Sequence, residues 1–454
     1  MYKESVLWAV FLKSSKDDIN NAFKTIKSLF AQSYNLPKVI LSLTDNEIIK
    51  IDELVPRELV GFLDNGLFIE QNSEVSLQAK FRVLNNQTVL TVESGIVYPK
   101  NWLYCVMSAY HKEKDAYDIY RLENVAELSD EILFTDFALI EVDATGKLSV
   151  LKSRKIIVSM TSYPPRIRSA ILALKSIYKQ SKLPDKVILW LAESDFPNKL
   201  EDLPVSLWKL IEEYGLQIRW CKVDLKSHKK YFWAFKEYPD ALIITVDDDV
   251  VYPPRRIENL FFSYLLHPRA VSAARACLIP ISKDGEFLTC KSWPAGIDAF
   301  ISIPSLQLSA IGDGGVLYPA RLFSGVRGLL DIEAIKRTCL YGDDLWLKAM
   351  EIVAGIPVVV AEGFEFLIYT PNSQQVGLYH ENCENGRSDV ELLRIEKEIN
   401  RRYGDHFFVK KLMDPNIGVN LVGTEVLADL IIYYQNKANN IKRELYLKSL
   451  NIKQ

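Results

Sequence analysis

The sequence predicts an α/β protein built from two tandem Rossmann-like units, the first degenerate, followed by a helical C-terminal tail. Three observations predict it. Short β-branched runs alternate with amphipathic stretches, the pattern of strands joined by crossover helices in a parallel-type sheet. One such run, Ala-Leu-Ile-Ile-Thr-Val at 241–246, ends on three consecutive carboxylates, Asp247, Asp248 and Asp249. Two blocks of sequence also occur twice, in the same order.

The repeat sets the domain boundaries. Thr91-Val-Glu-Ser-Gly-Ile-Val-Tyr-Pro99 matches Thr245-Val-Asp-Asp-Asp-Val-Val-Tyr-Pro253. Upstream, Lys27-Ser28, Gln32-Ser33, Leu36-Pro37 and Lys38-Val-Ile-Leu41 echo Lys175-Ser176, Gln180-Ser181, Leu183-Pro184 and Lys186-Val-Ile-Leu189. Gln32 and Gln180 are 148 positions apart, Thr91 and Thr245 154. Order is kept, with about six residues inserted. The first copy carries Glu93, Ser94 and Gly95 where the second has its acids, so it is expected to have lost any metal. The expected domains are 1–152, a degenerate copy; 153–415, the working copy; and 416–454, a helical extension.

In the first copy, 6–12 reads as a strand and 17–32 as a helix with Ala22, Ile26, Leu29 and Phe30 near helical spacing. A second strand covers 38–43, and 147–154 reads as the linker. In the second copy, 156–160 is a strand. Thr161-Ser-Tyr-Pro-Pro-Arg166 is a loop, because paired prolines disfavour helix. Residues 168–180 are a helix and 186–190 the next strand. Beyond 255, short strands are expected over 274–304, a flexible turn at Gly312-Asp-Gly-Gly315, and helices over 331–337, 343–352 and 391–403.

Bulk numbers exclude several classes. The 454 residues fit two or three domains, and 48% hydrophobic with 25% charged residues is ordinary for a globular protein. A net charge of −3 argues against nucleic acid, which needs a basic face. Six cysteines without Cys-x-x-Cys spacing fit a reducing compartment and no zinc ribbon. No apolar run reaches the 18 or so residues a membrane helix needs. The run at 6–12 lacks a basic leader and a cleavage site, so a cytoplasmic protein is expected. The basic, amphipathic tail could lie on the inner face of the cell membrane, pack on its own protein or mediate a homo-oligomer.

Three adjacent carboxylates at a strand end repel one another, and a divalent cation is the usual reason to tolerate them. Mg²⁺ is typically held by one or two carboxylates and completed by substrate phosphates. The bland alternative is a solvated acidic turn.

Met160-Thr-Ser-Tyr-Pro-Pro-Arg166 and Asp247-Asp-Asp-Val-Val-Tyr-Pro-Pro254, at this spacing, resemble the GT-A class of nucleotide-sugar glycosyltransferases. Within it they resemble bacterial surface-polysaccharide transferases such as the N-acetylglucosaminyltransferase of heparosan capsule synthesis. The resemblance covers about residues 155–403. It implies a nucleotide-sugar donor, a glycan or lipid-linked glycan acceptor, and Mn²⁺ or Mg²⁺ as cofactor. It implies that Asp247 faces the ribose or base, that Asp249 is the direct metal ligand and that Asp248 supports it. Thr161, Ser162, Tyr163 and Arg166 would border the nucleotide, with Tyr163 able to stack on a base or merely to pack beside the prolines. Lys229 or Lys230 would meet the diphosphate. Asp313 and Gly314 would border the sugar. In Tyr341-Gly-Asp-Asp-Leu-Trp346, Asp344 would act as general base in an inverting enzyme, or orient substrate in a retaining one, while Asp343 could cap the helix. His380 would be a third metal ligand, with Asn382 and Asp389 comparable. Trp293 and Trp346 could stack on an acceptor sugar or belong to the core.

The reading is a metal-dependent glycosyltransferase moving a sugar, expected from UDP, to a growing capsule, lipopolysaccharide or exopolysaccharide glycan. One rival is a nucleotidyltransferase, which would need a Gly-rich loop where 161–166 has no glycine. The other is a non-catalytic glycan-binding or assembly protein.

Overall fold

The computed structural model describes residues 6–14, 18–32, 39–43, 62–63, 67–71, 87–94, 98, 102–112, 117–122, 137–142, 148–282, 287–294, 303–363, 367–371, 373 and 385–414. The chain divides into two compact units, Met1–Arg154 and Lys155–Gln454. The expected tail, 416–454, lies outside the described residues. No helix among the described residues is long and apolar enough to cross a membrane.

The first unit runs β1 (Val6–Ser14), α1 (Ile19–Phe30), β2 (Val39–Leu43), β3 (Leu67–Gln71), β4 (Gln87–Val92), α2 (Trp102–Lys112), β5 (Tyr117–Leu122), β6 (Phe137–Val142) and β7 (Leu148–Ser153). Its sheet has the order β3-β2-β1-β4-β6-β7-β5. The first four strands are parallel; β6, β7 and β5 follow antiparallel. The segment expected to be a linker is therefore a strand, paired on both sides. Its mixed composition concealed it.

The second unit runs β8 (Ile156–Thr161), α3 (Ile167–Ile177), β9 (Lys186–Ala192), α4 (Val205–Tyr214), β10 (Gln217–Cys221), α5 (Lys229–Glu237), β11 (Leu242–Val246), β12 (Val250–Val251), α6 (Arg256–Leu266), β13 (Val271–Ala273), β14 (Ala276–Leu278), β15 (Leu308–Ala310), β16 (Val316–Pro319), α7 (Ile332–Thr338), α8 (Asp343–Ala354), β17 (Val358–Val360), β18 (Ile368–Tyr369), α9 (Arg387–Tyr403) and α10 (Phe407–Leu412). The main sheet has the order β10-β9-β8-β11-β16-β13-β17. Strands β10, β9, β8 and β11 are parallel, but β16 runs antiparallel to β11 and to β13. The sheet is mixed, where strand–helix alternation had suggested a parallel one. Beyond α6 the alternation stops, and β16 enters beside β11 without a crossover helix.

Local chemistry accounts for the elements near the acids. All five residues of β11 are buried, and burying an aliphatic side chain of this size stabilises by about 1.5–3 kcal/mol. Pro164–Arg166, expected to be loop, forms a single 3-10 turn leading into α3. Proline is tolerated in a first helical turn because the missing N–H has no intrahelical partner there. Asp331 caps α7, its carboxylate accepting the Ala334 N–H at 3.0 Å.

Both units fix the loop after their fourth parallel strand with the same three side chains; three of the four hydrogen bonds correspond, and the fourth ends one carbonyl earlier in the first unit. In the second, the Ser176 hydroxyl accepts the Tyr252 N–H at 2.9 Å. Gln180 donates to the Pro253 carbonyl at 2.7 Å and accepts the Ile257 N–H at 3.0 Å. The Tyr252 hydroxyl accepts the Asp247 N–H at 2.8 Å. In the first, Ser28 accepts the Tyr98 N–H at 2.9 Å, and Gln32 donates to the Tyr98 carbonyl at 3.3 Å and accepts the Leu103 N–H at 3.0 Å. The Tyr98 hydroxyl accepts the Glu93 N–H at 3.3 Å. The helix residues are offset by 148 and the loop residues of the three corresponding bonds by 154, as in the sequence blocks. The repeated Ser, Gln and Tyr are thus the parts of one joint between the first helix and the loop.

Removing the Ser176 hydroxyl leaves the buried Tyr252 N–H without that acceptor. Ser176→Ala should destabilise the second unit by about 1–3 kcal/mol in urea unfolding. Lys179→Ala, three residues along, serves as the neutral control. Equal stability of both variants would show that the joint does not anchor the loop.

Candidate functional site

Topology brings the charged residues to one edge of the second sheet. Strands β8 and β11 are parallel, with Val246 beside Met160, so 161–166 and 247–249 leave the same carboxyl edge. Ligands bind at that edge in open α/β sheets. Strand β16 runs the other way and pairs Val316 with Thr245, so the Gly312–Gly315 turn preceding it arrives there too. Helix α5 begins at the same edge. Its first turn is held over β8 by the buried Ser159 hydroxyl, which donates to the Lys230 carbonyl and accepts from the Trp190 indole N–H at 2.8 Å.

The three acids turn to different partners. Asp247 accepts from Lys230 Nζ at 2.6 Å. Asp248 is buried; its Oδ2 accepts from the Ser162 hydroxyl at 2.6 Å and its Oδ1 from Arg166 Nη1 at 3.1 Å. Asp249 Oδ2 lies 3.2 Å from Arg166 Nη2. The same Nη2 donates to the Ser373 carbonyl at 3.1 Å, and the Asp249 carbonyl accepts the Thr370 N–H at 2.8 Å. Strand β18, paired antiparallel with β12, carries Thr370 and Ser373 to the acids.

Burial raises Asp248 to a pKa of about 6 against the pull of Ser162 and Arg166. Burial likewise raises Asp249 despite Arg166. Arg166 itself, pulled down by burial, is held above its ordinary value by Asp248 and Asp249.

A second group of acids joins through Lys230. Its ammonium is buried and lies 3.0 Å from Asp343 Oδ2, an ion pair rather than a directed hydrogen bond, as well as on Asp247. Burial alone would lower Lys230, but Asp247, Asp343 and Asp344 hold it well above its ordinary value. Asp343 begins α8 without capping it; the N-cap is Gly342. The cap expected of Asp343 gives way to the charge of Lys230, which outweighs burial and lowers its pKa. Asp344 turns to the glycine turn, its Oδ2 accepting the Gly312 N–H at 2.9 Å. A Cβ on residue 312 would stand 2.8 Å from Asp344 Oδ1, so a side chain there would displace the Asp344 carboxylate. Burial and the neighbouring Asp343 push Asp344 up to about 8.

His228 lies buried beneath this pair. Its Nε2 is 2.7 Å from the Cys339 carbonyl, which can only accept, so Nε2 carries the proton and Nδ1 accepts from the Tyr231 hydroxyl at 2.9 Å. Burial lowers its pKa to about 4, and the ring is a neutral support.

Other candidates are placed differently. Lys229 pairs with Asp224 at 2.5 Å, so Lys230 alone of the two faces the acids. The Thr161 hydroxyl donates to the Trp190 carbonyl at 2.8 Å and serves the sheet. Tyr163 is exposed at this edge. Asp313 receives both of its oxygens' contacts from Arg275 Nη1 at 2.8 Å, and the Tyr369 hydroxyl donates to it at 2.5 Å. Gly314 packs on the stem of Arg275. Trp346 is fully buried, its indole N–H on the Leu329 carbonyl, and Trp293 is buried with its N–H on the Leu288 carbonyl; both belong to the core. Asp389 accepts the Cys290 N–H at 2.6 Å. His380 and Asn382 lie outside the described residues. Sequence reasoning passed over Arg275, Tyr369, Thr370 and Ser373, which reach the site through long-range pairing and carry no local signature.

No group of three or more His, Cys, Asp or Glu among the described residues is arranged to hold a metal. Asp247 and Asp249 nevertheless suit Mg²⁺ or Mn²⁺ in kind: two hard carboxylates on one loop, the shell left to phosphates and water.

A scan against protein families finds no match, and neither does a comparison with curated proteins. Solved structures similar to the chain include the mannosyltransferase PcManGT from Pyrobaculum calidifontis in complex with GDP-Man and Mn²⁺, at 13% identity, covering 57% of this chain and 68% of that one, TM-score 0.34. TarS 1–349 of S. aureus in complex with UDP-GlcNAc is similar at 14% identity, covering 57% and 71%, TM-score 0.38. A 4-diphosphocytidyl-2C-methyl-D-erythritol synthase is similar at 11% identity, covering 49% and 95%, TM-score 0.30. No residue role transfers at this level of similarity; the functional argument rests on this chain's own side chains.

Asp344 takes up a proton more readily folded than unfolded. The stability this lends is full below its ordinary pKa near 4 and is lost as pH rises to about 8. The stability of the wild type relative to Asp344→Asn should therefore fall across that window. A difference independent of pH in unfolding titrations would show that Asp344 ionises like an ordinary carboxyl.

Proposed function

We propose that the second unit is a metal-dependent glycosyltransferase of GT-A type, moving a sugar from a nucleotide diphosphate, UDP in our reading, to a growing surface glycan of capsule, lipopolysaccharide or exopolysaccharide. One observation carries the reading. Asp247, Asp249, Asp343 and Asp344 converge with Arg166 and Lys230 at the carboxyl edge of β8 and β11, beside a glycine turn. A diphosphate donor needs cations for its phosphates, carboxylates for a metal, and backbone that lets a sugar approach.

In this reading Asp247 and Asp249 hold the metal, with His380 as a third ligand. The ion neutralises the diphosphate as it leaves. Lys230 is the lysine that faces the phosphates. Tyr163, exposed at the edge, offers its ring to the base. Asp344 takes the proton of the acceptor hydroxyl. A base is most effective when its pKa lies near the working pH, and burial raises Asp344 toward that range. The Gly312 N–H fixes the direction in which its carboxylate points.

The first unit is a silent copy in this reading. It keeps the Ser28–Tyr98–Gln32 joint but has Ser94 and Gly95 in place of two acids. In this reading the protein acts in the cytoplasm, where the basic tail would pack on its own protein, join copies of the chain or touch the inner face of the membrane.

A thermal-shift screen with UDP-, GDP-, CMP- and dTDP-sugars, with and without Mn²⁺, tests donor binding. At a hundredfold excess over the dissociation constant, a bound donor stabilises by about 2.7 kcal/mol. A metal-dependent shift with one nucleotide class is expected; no shift with any donor would favour the non-catalytic glycan-binding reading. Asp249→Asn should abolish sugar transfer and leave the unfolding midpoint within a few degrees of wild type. Glu93→Gln should leave turnover unchanged, and a large loss would show that the first unit keeps chemistry of its own.

A further inference from the structure

Arg166 makes two kinds of contact with the acids, and the repeat separates them. In the first unit, Ser94 Oγ donates to Asp18 Oδ2 at 2.8 Å. Asp18 stands 148 positions before Arg166, and Ser94 stands 154 before Asp248, the offsets of the helix and loop halves of the joint. The bond between Arg166 and Asp248 therefore has a counterpart in the first unit, made with a hydroxyl and a carboxylate of opposite placement. It is a joint of the fold. The contact of Arg166 with Asp249 has none, because the corresponding residue is Gly95.

Asp248 is already held by Ser162 at 2.6 Å and by Arg166 Nη1. Its burial and its two partners suit a fixed structural role. Asp249 is reached by the other arm of the guanidinium, Nη2, at 3.2 Å, which also holds the Ser373 carbonyl. The buried Nε of Arg166 makes no hydrogen bond. The guanidinium is thus anchored at Nη1 and Ser373, and its charge is shared with Asp249 through the longer contact.

Resting on the metal reading of Asp249 above, we propose that Arg166 is a built-in counter-cation for Asp249. It neutralises that carboxylate in the free protein and yields it to an incoming divalent cation, while its bond to Asp248 persists. The cation must then compete with a positive charge already in place. Its affinity in the absence of donor is set low, and a diphosphate, which brings negative charge to Arg166 and to the metal together, raises it.

The inference is tested by Mn²⁺ titration of the full chain without donor, reading free Mn²⁺ by electron paramagnetic resonance. Arg166→Gln removes the charge and keeps a donor for Asp248. It should bind Mn²⁺ about tenfold tighter than wild type, the order expected when a like charge a few ångströms away is removed. Arg166→Lys keeps the charge but loses the two-armed fork that meets Asp248 and Asp249 through separate nitrogens; it should bind about two- to threefold tighter, and it remains informative if the glutamine variant fails to fold. Asp249→Asn should abolish the gain in either background. Unchanged or weaker Mn²⁺ binding by a folded Arg166→Gln or Arg166→Lys overturns the inference, as does an absence of Mn²⁺ binding in all variants. Tighter binding in a protein that shifts with no nucleotide sugar would sustain the role of Arg166 and remove the glycosyltransferase reading instead.

Discussion

Three consecutive carboxylates at the end of a buried strand must be kept from facing one another, and the second unit is arranged around that constraint. A strand alternates its side chains, but the chain turns after Val246, so direction alone cannot separate Asp247, Asp248 and Asp249. The separation comes from cations on two other elements. Lys230, at the start of α5, takes Asp247; Arg166, ahead of α3, takes Asp248 and Asp249. Both helices begin at the carboxyl edge of the sheet because each follows a parallel strand. The parallel topology thus supplies the neutralising charges as well as the acids.

The joint built from Ser176, Gln180 and Tyr252 explains how such a loop keeps its shape. Its hydrogen bonds go to backbone groups on both sides of the acids and do not depend on charge. The first unit retains it although the acids are gone. A contact kept after its charged neighbours have been replaced belongs to the fold; one present only beside the acids belongs to the chemistry. By that criterion Ser28, Gln32 and Tyr98 mark architecture, and Arg166 with Asp249 marks function.

Local patterns made part of this legible. Residues 241–246 announced a buried strand, and the repeated blocks announced two units whose parallel strands share one order. The acids, Arg166, Ser162 and Lys230 were nameable because they sit in or beside short motifs. What was not legible depended on pairing across the chain. Residues 147–154 looked like a linker because a strand of mixed polarity is betrayed only by its neighbours β5 and β6. Lys229 and Lys230 are adjacent in sequence, and only the fold sends one to Asp224 and the other to Asp247. Trp346 falls on the buried face of α8, which the motif alone did not indicate.

The two acids of α8 show how one cation can divide a pair of like groups. Asp343 and Asp344 are neighbours at a helix start, where the dipole favours negative charge equally for both. Lys230 stands on Asp343, and that single contact breaks the symmetry. Asp343 keeps its charge, and that charge together with burial makes the next one on Asp344 costly. The proton is therefore retained on the carboxyl aimed at the glycine turn. Because Lys230 also holds Asp247, the charge state of Asp344 is tied to the occupancy of the acid loop. A ligand that draws Lys230 away from Asp343 would raise the proton affinity of that pair further. One that adds positive charge at Asp247 would lower it, so that when the loop is filled Asp344 is ionised, as a base must be, at a lower pH.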